Sequence, residues 1–217
     1  WMGLVSEALD EDDYALAQKA AEKGEAAALR RKDPALLEQA KSLKEQARTL
    51  LKEFKAVEDS FRRLKEAPED PAASEAVGRF LCFTRELWSR GLPFLSRAAD
   101  PALQAAAQAD LAAAPAAGDL WWDWAEKQGA KTVREAARLR AAGSYERALS
   151  GLLEPERVRA EKRMKTVYDA TGGGPPGNLA AAKAGASITG GIAPGVLIDG
   201  VVTGHTGSTG FAYAAFP

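Results

Sequence analysis

The chain has a single cysteine and a single histidine in 217 residues, and each scarcity removes a class of chemistry. Cys82 cannot close an internal disulfide, and no neighbouring histidine or second cysteine is there to activate its thiol. His205, in Thr203-Gly-His-Thr-Gly, would have to build any triad or multi-histidine metal site alone, so it is assigned a structural or loop role. Long apolar runs are also missing: nothing approaches the roughly 18 residues that a spanning helix needs, and no basic-then-apolar leader opens the chain. The chain begins Trp1-Met2 and stops at Ala-Phe-Pro within a strand-like pattern, so both ends are read as cuts and the missing leader carries little weight. An excess of one charge is absent too. With 29 Lys and Arg against 30 Asp and Glu, bulk electrostatics gives no reason to expect nucleic acid or an anionic membrane as partner.

Two further absences bear on catalysis. Gly172-Gly-Gly and Gly190-Gly191 lack the Lys-Ser/Thr of a phosphate-binding loop. The carboxylates, such as Glu7, Asp10, Glu11, Asp12 and Asp13, are strung along solvated faces instead of being paired for acid–base work. The expectation is therefore no catalytic residue, no cofactor and no metal ligand within the fragment.

What is present is helical periodicity. Leu4, Val5, Ala8 and Leu9 fit one short helix, and Asp10 to Asp13 form a turn and an acidic helix start. Tyr14, Ala17, Ala21, Gly24, Ala28 and Arg31 then make a thin stripe of mostly small residues that admits a second helix closely. That helix starts at Asp33-Pro34, an N-cap followed by proline in the first turn. Leu36, Ala40, Leu43, Ala47, Leu50, Phe54, Val57, Phe61 and Leu64 hold a 4-3 heptad spacing until Pro68, predicting a helix over about 34–67 of roughly 50 Å. The short link favours an antiparallel hairpin, with coiled-coil dimerisation through the same stripe as the rival.

Asp-Pro-Ala recurs at Asp70 and Asp100, so three helices are expected to begin alike. Ala76, Val77, Phe80, Leu81 and Phe83 predict an apolar face containing Cys82; Leu87, Trp88, Leu92, Phe94 and Leu95 predict its partner, with Pro93 either kinking that helix or delaying its start. An alanine-rich helix over 101–113, a segment from Pro115 carrying three of the five tryptophans, a long helix from Val133 to Leu152 and a last one with Val158, Met164 and Val167 follow. Within Leu120-Trp121-Trp122-Asp123-Trp124, helical spacing turns Trp121 and Trp124 to one side and sets Trp122 at its edge. Trp88, Trp121, Trp124 and Tyr145 are thus expected in the core, and Trp122 is the candidate interaction surface.

After Tyr168 the composition changes. Twelve of the twenty glycines lie from Gly172 onward, where Lys183 and Asp199 are the only charged side chains. Residues 169–178 read as a Gly/Pro linker, and 179–217 as a few short strands, too few to be stable alone.

Trp88-Ser-Arg-Gly-Leu-Pro-Phe-Leu can be laid on Tyr145-Glu-Arg-Ala-Leu-Ser-Gly-Leu, and the aromatic-to-small cadence of paired helices resembles a degenerate tetratricopeptide (TPR) array. Together with Val77-Gly-Arg-Phe-Leu-Cys-Phe, Asp100-Pro-Ala-Leu-Gln, Gly118-Asp-Leu-Trp-Trp-Asp-Trp-Ala-Glu-Lys and Glu161-Lys-Arg-Met, it resembles a TPR-like region of large, mostly uncharacterised bacterial proteins. There such a region stands beside extracellular-type β-sandwich modules. Asn178-Leu-Ala, Gly185-Ala-Ser-Ile-Thr and Val196-Leu-Ile-Asp-Gly resemble the opening strands of a discoidin-like (F5/8 type C, galactose-binding-like) module. The resemblance implies an extracellular or cell-envelope setting and carbohydrate binding by the complete module.

The expectation is thus a mainly all-α array over 1–168, a linker and a β stub. The function expected is a non-catalytic scaffold or spacer for protein–protein interaction that presents a ligand-binding module. Alternatives are an accessory region of a larger glycan-active enzyme or signalling kinase, and a coiled-coil oligomerisation element.

Overall fold

Aspartate followed by proline sets three of the helix starts. The side chain accepts a hydrogen bond from a first-turn amide, and proline occupies a position whose N–H has no helical partner. Asp33 accepts from Leu36 N at 3.1 Å, Asp70 from Ala73 N at 2.9 Å, and Asp100 from Ala102 N at 2.9 Å. Asp13 caps in the same way, accepting from Leu16 N at 2.9 Å.

The computed structural model describes residues 1–171. In order, the helices are α1 (Met2–Asp10), α2 (Tyr14–Arg31), α3 (Pro34–Glu66), α4 (Pro71–Arg79), α5 (Trp88–Leu95), α6 (Pro101–Leu111), α7 (Ala117–Ala125), α8 (Lys131–Ala148) and α9 (Glu156–Thr171). A π-helical turn, Phe80–Thr84, follows α4, and a 3-10 turn, Leu149–Gly151, follows α8. The fold of the described residues is all-α, and none of these helices is long and apolar enough to cross a membrane. The linker from 172 and the expected β stub lie outside the described residues.

Packing follows chain order: each helix lies mainly against the one before and the one after it. The α2–α3 hairpin is antiparallel, since Glu25 pairs with Lys44 while Tyr14, further toward the N-terminus, touches Phe54, further toward the C-terminus. Small residues allow the approach: Ala17, Ala20, Ala21 and Ala28 of α2 and Ala40 and Ala47 of α3 are buried. The heptad stripe is consumed within the chain. Its first half packs against α2, and Leu50, Phe54, Val57, Phe61 and Leu64 pack on Tyr14, Val77, Phe80 and Leu81.

Chain order is not strict at the π turn, which both α3 and α8 touch. The cause lies in its sequence. Phe80 and Leu81 point into the cluster under α3, whereas Cys82 and Phe83 belong to the cluster around the tryptophans. One extra residue per turn rotates the apolar face between the two cores. Gly78 and Gly91 let α4 and α5 close on each other, because a Cβ on either would fall 2.6 Å from Leu95 or 2.3 Å from Cys82.

Several expectations are corrected here. The face over 76–83 is split between α4 and the π turn instead of being one helix. Pro93 lies inside α5, which starts five residues earlier, so it does not mark a late start. Val158 is 56% exposed, and Ala160 and Tyr168 join Met164 and Val167 in the buried face of α9. That helix also runs on through Asp169, Ala170 and Thr171, which the sequence assigned to the linker. Trp88 opens α5 while Tyr145 sits in the last turns of α8, so the two aligned octapeptides occupy different parts of their helices.

Candidate functional site

The tryptophan helix α7 divides its residues by face. Trp121 is fully buried and Trp124 1% exposed, their rings meeting edge-on at 6.0 Å. Trp88 stands edge-on to Trp121 at 5.5 Å, and Phe83 stacks on Trp124 at 5.4 Å. Trp88 is only partly buried, at the rim of this cluster with the Arg140 guanidinium over its ring. Gly118 is the notch that seats Tyr145: a Cβ there would lie 2.5 Å from the phenol ring.

A buried indole still needs an acceptor for its N–H. Trp124 Nε1 donates to Asp100 at 2.8 Å, so one carboxylate both caps α6 and anchors a ring of α7. Burial pushes the Asp100 pKa up, but the Trp124 indole and the amides of Ala102 and Leu103 outweigh it and hold it below the usual range. Trp121 Nε1 donates to Asp110 Oδ2 at 2.8 Å. Asp110 has no exposed side chain; it also accepts from Arg140 at 2.6 and 3.0 Å and from Arg147 at 2.7 Å. One enclosed aspartate thereby ties α6 to α7 and α8.

The same device recurs toward the surface. Tyr145 donates to Asp119 at 2.7 Å and accepts from Arg163 at 2.6 Å, while Arg159 and Arg163 donate to Asp119 at 2.6 and 2.5 Å. Burial raises Asp119, but the Tyr145 phenol and Arg159 bring it below its ordinary value. Burial, then the bond to Asp119, pushes Tyr145 well up. Tyr168 donates to Glu146 at 2.5 Å, joining α9 to α8. At the other end Tyr14 donates to Asp12 at 2.7 Å, and Arg90 donates to Asp12 at 2.6 Å from α5. Five aromatic donors are each fastened to a carboxylate, four of them across a helix boundary, and arginines close on most of those carboxylates.

Trp122 is partly buried as its helical position required. Arg138 and Arg163 place their guanidinium carbons 5.2 and 5.1 Å from its ring. Both lie within cation–π reach of the indole, so the ring's polar partners come from α8 and α9 of the same chain. Cys82 is fully buried, and burial pushes its thiol far above the ordinary value, so it is an unreactive core side chain. His205 lies outside the described residues. Among the described residues no group of histidine, cysteine and carboxylate side chains could hold a metal ion.

A shallow cleft of about 180 Å³ opens beside the Asp119 cluster, between Pro115 and Ala116 ahead of α7 and Leu152, Glu156 and Arg159 around the start of α9. Compared with known protein families, curated proteins and solved structures, the chain matches none of them.

Sequence reasoning placed Trp88, Trp121, Trp124 and Tyr145 in the core and Trp122 at the edge; Trp121, Trp124 and Tyr145 are buried, whereas Trp88 stays partly exposed at the rim. It missed Asp110, Asp119, Arg140 and Arg163. For Asp110 and Arg140 the available signal was a charge in line with the buried positions of a helix rich in alanine, where an unpartnered charge would be costly.

Proposed function

We propose that the helical array is a rigid, non-catalytic scaffold or spacer for protein–protein interaction, a degenerate TPR-like arrangement that holds the C-terminal ligand-binding region at a fixed place. The observation that carries this is the use made of the polar groups. Asp100, Asp110 and Asp119, the carboxylates around the tryptophan helix, are committed to indole, phenol and guanidinium donors on neighbouring helices. Chain-order packing supports the array reading, because solenoids are built from nearest-neighbour interfaces. The coiled-coil alternative is weakened by the fate of the heptad stripe, which packs inside the chain. Carbohydrate binding belongs to the complete β-module and rests on the resemblance of residues 179–217.

A spacer must keep its ends at a fixed separation. Spin labels on Gln39→Cys and Lys162→Cys, both solvent-facing, report that distance by electron–electron resonance, and buried Cys82 does not compete for the label. The expected result is one narrow distribution, unchanged by moderate urea. A broad or multi-component distribution in native buffer overturns the proposal.

A further inference from the structure

We propose that α1 is a releasable strap: Arg85 and Arg90 clasp the α1–α2 corner at Leu9 and Asp12, and opening this clasp frees α1 while α2 to α8 stay folded. The inference goes beyond the scaffold reading, because it gives one helix a second state.

α1 does not hold itself. Its nine residues are fewer than the roughly 12–15 that an isolated helix needs. Its C-terminal end runs into Asp10, Glu11, Asp12 and Asp13, and its last turn has no basic residue. These carboxylates suit the start of α2 but oppose the negative end of the α1 dipole. Among the helices, α1 lies mainly against α2, through Val5, Ala8 and the preceding Trp1, whose ring lies close over Gly24. Leu9, half-buried, also borders the cluster under α3.

The missing cations come from far along the chain. Arg85 Nη2 donates to the Leu9 carbonyl at 2.7 Å, in the last turn of α1. Arg90 Nη2 donates to Asp12 Oδ2 at 2.6 Å, and the Tyr14 hydroxyl donates to Oδ1 at 2.7 Å. Arg85 lies 3.8 Å from Asp12, with its guanidinium carbon 5.2 Å from the centre of the Tyr14 ring. The two arginine bonds span 76 and 78 positions and tie α1 back to the end of the π turn and to α5.

Both jaws of the clasp carry backbone strain. Asp12 sits at φ 60° and Glu86, beside Arg85, at φ 57°, a left-handed conformation that costs any side chain energy, although aspartate tolerates it better than most. The jaws differ in exposure. The Arg85 side chain is 10% exposed and fixed in the fold, whereas Arg90 is 49% exposed, so the Arg90–Asp12 pair is open to water and yields first. Strain and the dipole mismatch favour opening; the arginine bonds and the packing on α2 favour closure. Release carries Val5, Ala8 and Trp1 away from Ala17, Ala20, Ala21 and Gly24 and uncovers that side of α2.

The test is amide hydrogen exchange on the full, isotopically labelled chain, compared between residues 5–9 of α1 and the core of α6 to α8. In the wild type the α1 amides should be protected, yet open before those of α6 to α8. Arg90→Gln, a half-exposed change 78 positions from Asp12, should speed exchange in α1 by about three- to tenfold, the worth of one partly exposed charge-assisted bond, and leave α6 to α8 unchanged. Asp12→Asn keeps an acceptor for Tyr14 and a residue suited to the left-handed backbone; it should act likewise, and the double variant should fall short of the product of the two factors. Arg157→Gln, a half-exposed arginine of α9, should leave α1 unchanged. The inference is overturned if α1 is unprotected in the wild type, if Arg90→Gln leaves its exchange unchanged or speeds α6 to α8 by the same factor, if the two clasp variants multiply fully, or if Arg157→Gln matches Arg90→Gln. The spin labels at Gln39 and Lys162 lie outside α1, so the strap and the scaffold reading are judged separately.

Discussion

Replacing Asp110 by alanine is expected to destabilise the array by about 3–5 kcal/mol, the loss found when one partner of a buried ion pair is deleted. The side chain is fully enclosed, and only 7% of the Arg140 side chain reaches solvent. Its two oxygens accept from Arg140 twice, from Arg147 and from the Trp121 indole, so the substitution removes this carboxylate from a cation and a ring N–H that stay buried. The gain in helix propensity from aspartate to alanine near the end of α6 is no more than about 0.7 kcal/mol and does not offset it. For a folded unit of this length 1 kcal/mol corresponds to roughly 2–4 °C, so Tm should fall by about 6–20 °C in far-ultraviolet circular dichroism. Asp110→Asn, which keeps the shape and one acceptor, should fall in between. The pair Asp110→Leu with Arg140→Met removes both charges and should recover most of the loss. A loss below about 1 kcal/mol for Asp110→Ala, typical of an exposed pair, refutes the argument that this aspartate welds three helices.

Three other outcomes follow from the same contacts. Gly118→Ala puts a methyl group 2.5 Å from the Tyr145 ring; overpacking of about 1–3 kcal/mol less about 1 kcal/mol of helix propensity leaves a net loss of up to about 2 kcal/mol, measured by urea titration. Trp121→Ala should cost about 3–5 kcal/mol, while Trp122→Ala, at a partly exposed site, should cost less than half of that; equal losses would contradict the division of faces in α7. Tm should be flat between about pH 5 and 9 and fall on both sides. Asp70, Asp100 and Asp119 have lowered folded pKa values, so their contribution is complete above the unfolded value of about 4 and is lost as pH drops through the folded ones. Tyr14, Tyr145 and Tyr168 have raised values, so theirs is complete below about pH 10 and is lost above it; tyrosinate absorbance near pH 10 from these three phenols in the folded chain would contradict this.

Helix starts were the most legible part of the sequence, because Asp-Pro-Ala is a local signal and the cap is made within three residues. The α3 stripe was legible for the same reason of periodicity, and so was the split between Trp121 and Trp122. What periodicity could not show was which helix a polar residue would meet. Asp110 looks like one charge at the end of an alanine-rich helix, and only the packing of α7 and α8 around it reveals an anchor. Phe80–Thr84 likewise reads as helix, since its apolar spacing differs from an α-helix by one residue and the π turn depends on two cores pulling on opposite sides. Asp119 gathers partners 26 to 44 positions further along the chain, a separation no local pattern reports.

The central claim is that these carboxylate-anchored aromatics and the shared π turn make one rigid body of helices that would otherwise touch only their neighbours. Hydrogen exchange read helix by helix at increasing sub-denaturing urea tests it most directly. The account predicts that core amides of α2 to α8 merge onto one exchange isotherm and open together. If the amides of α2 and α3 open on a separate, lower-energy isotherm from those of α6 to α8, the array is two bodies and the scaffold is not rigid.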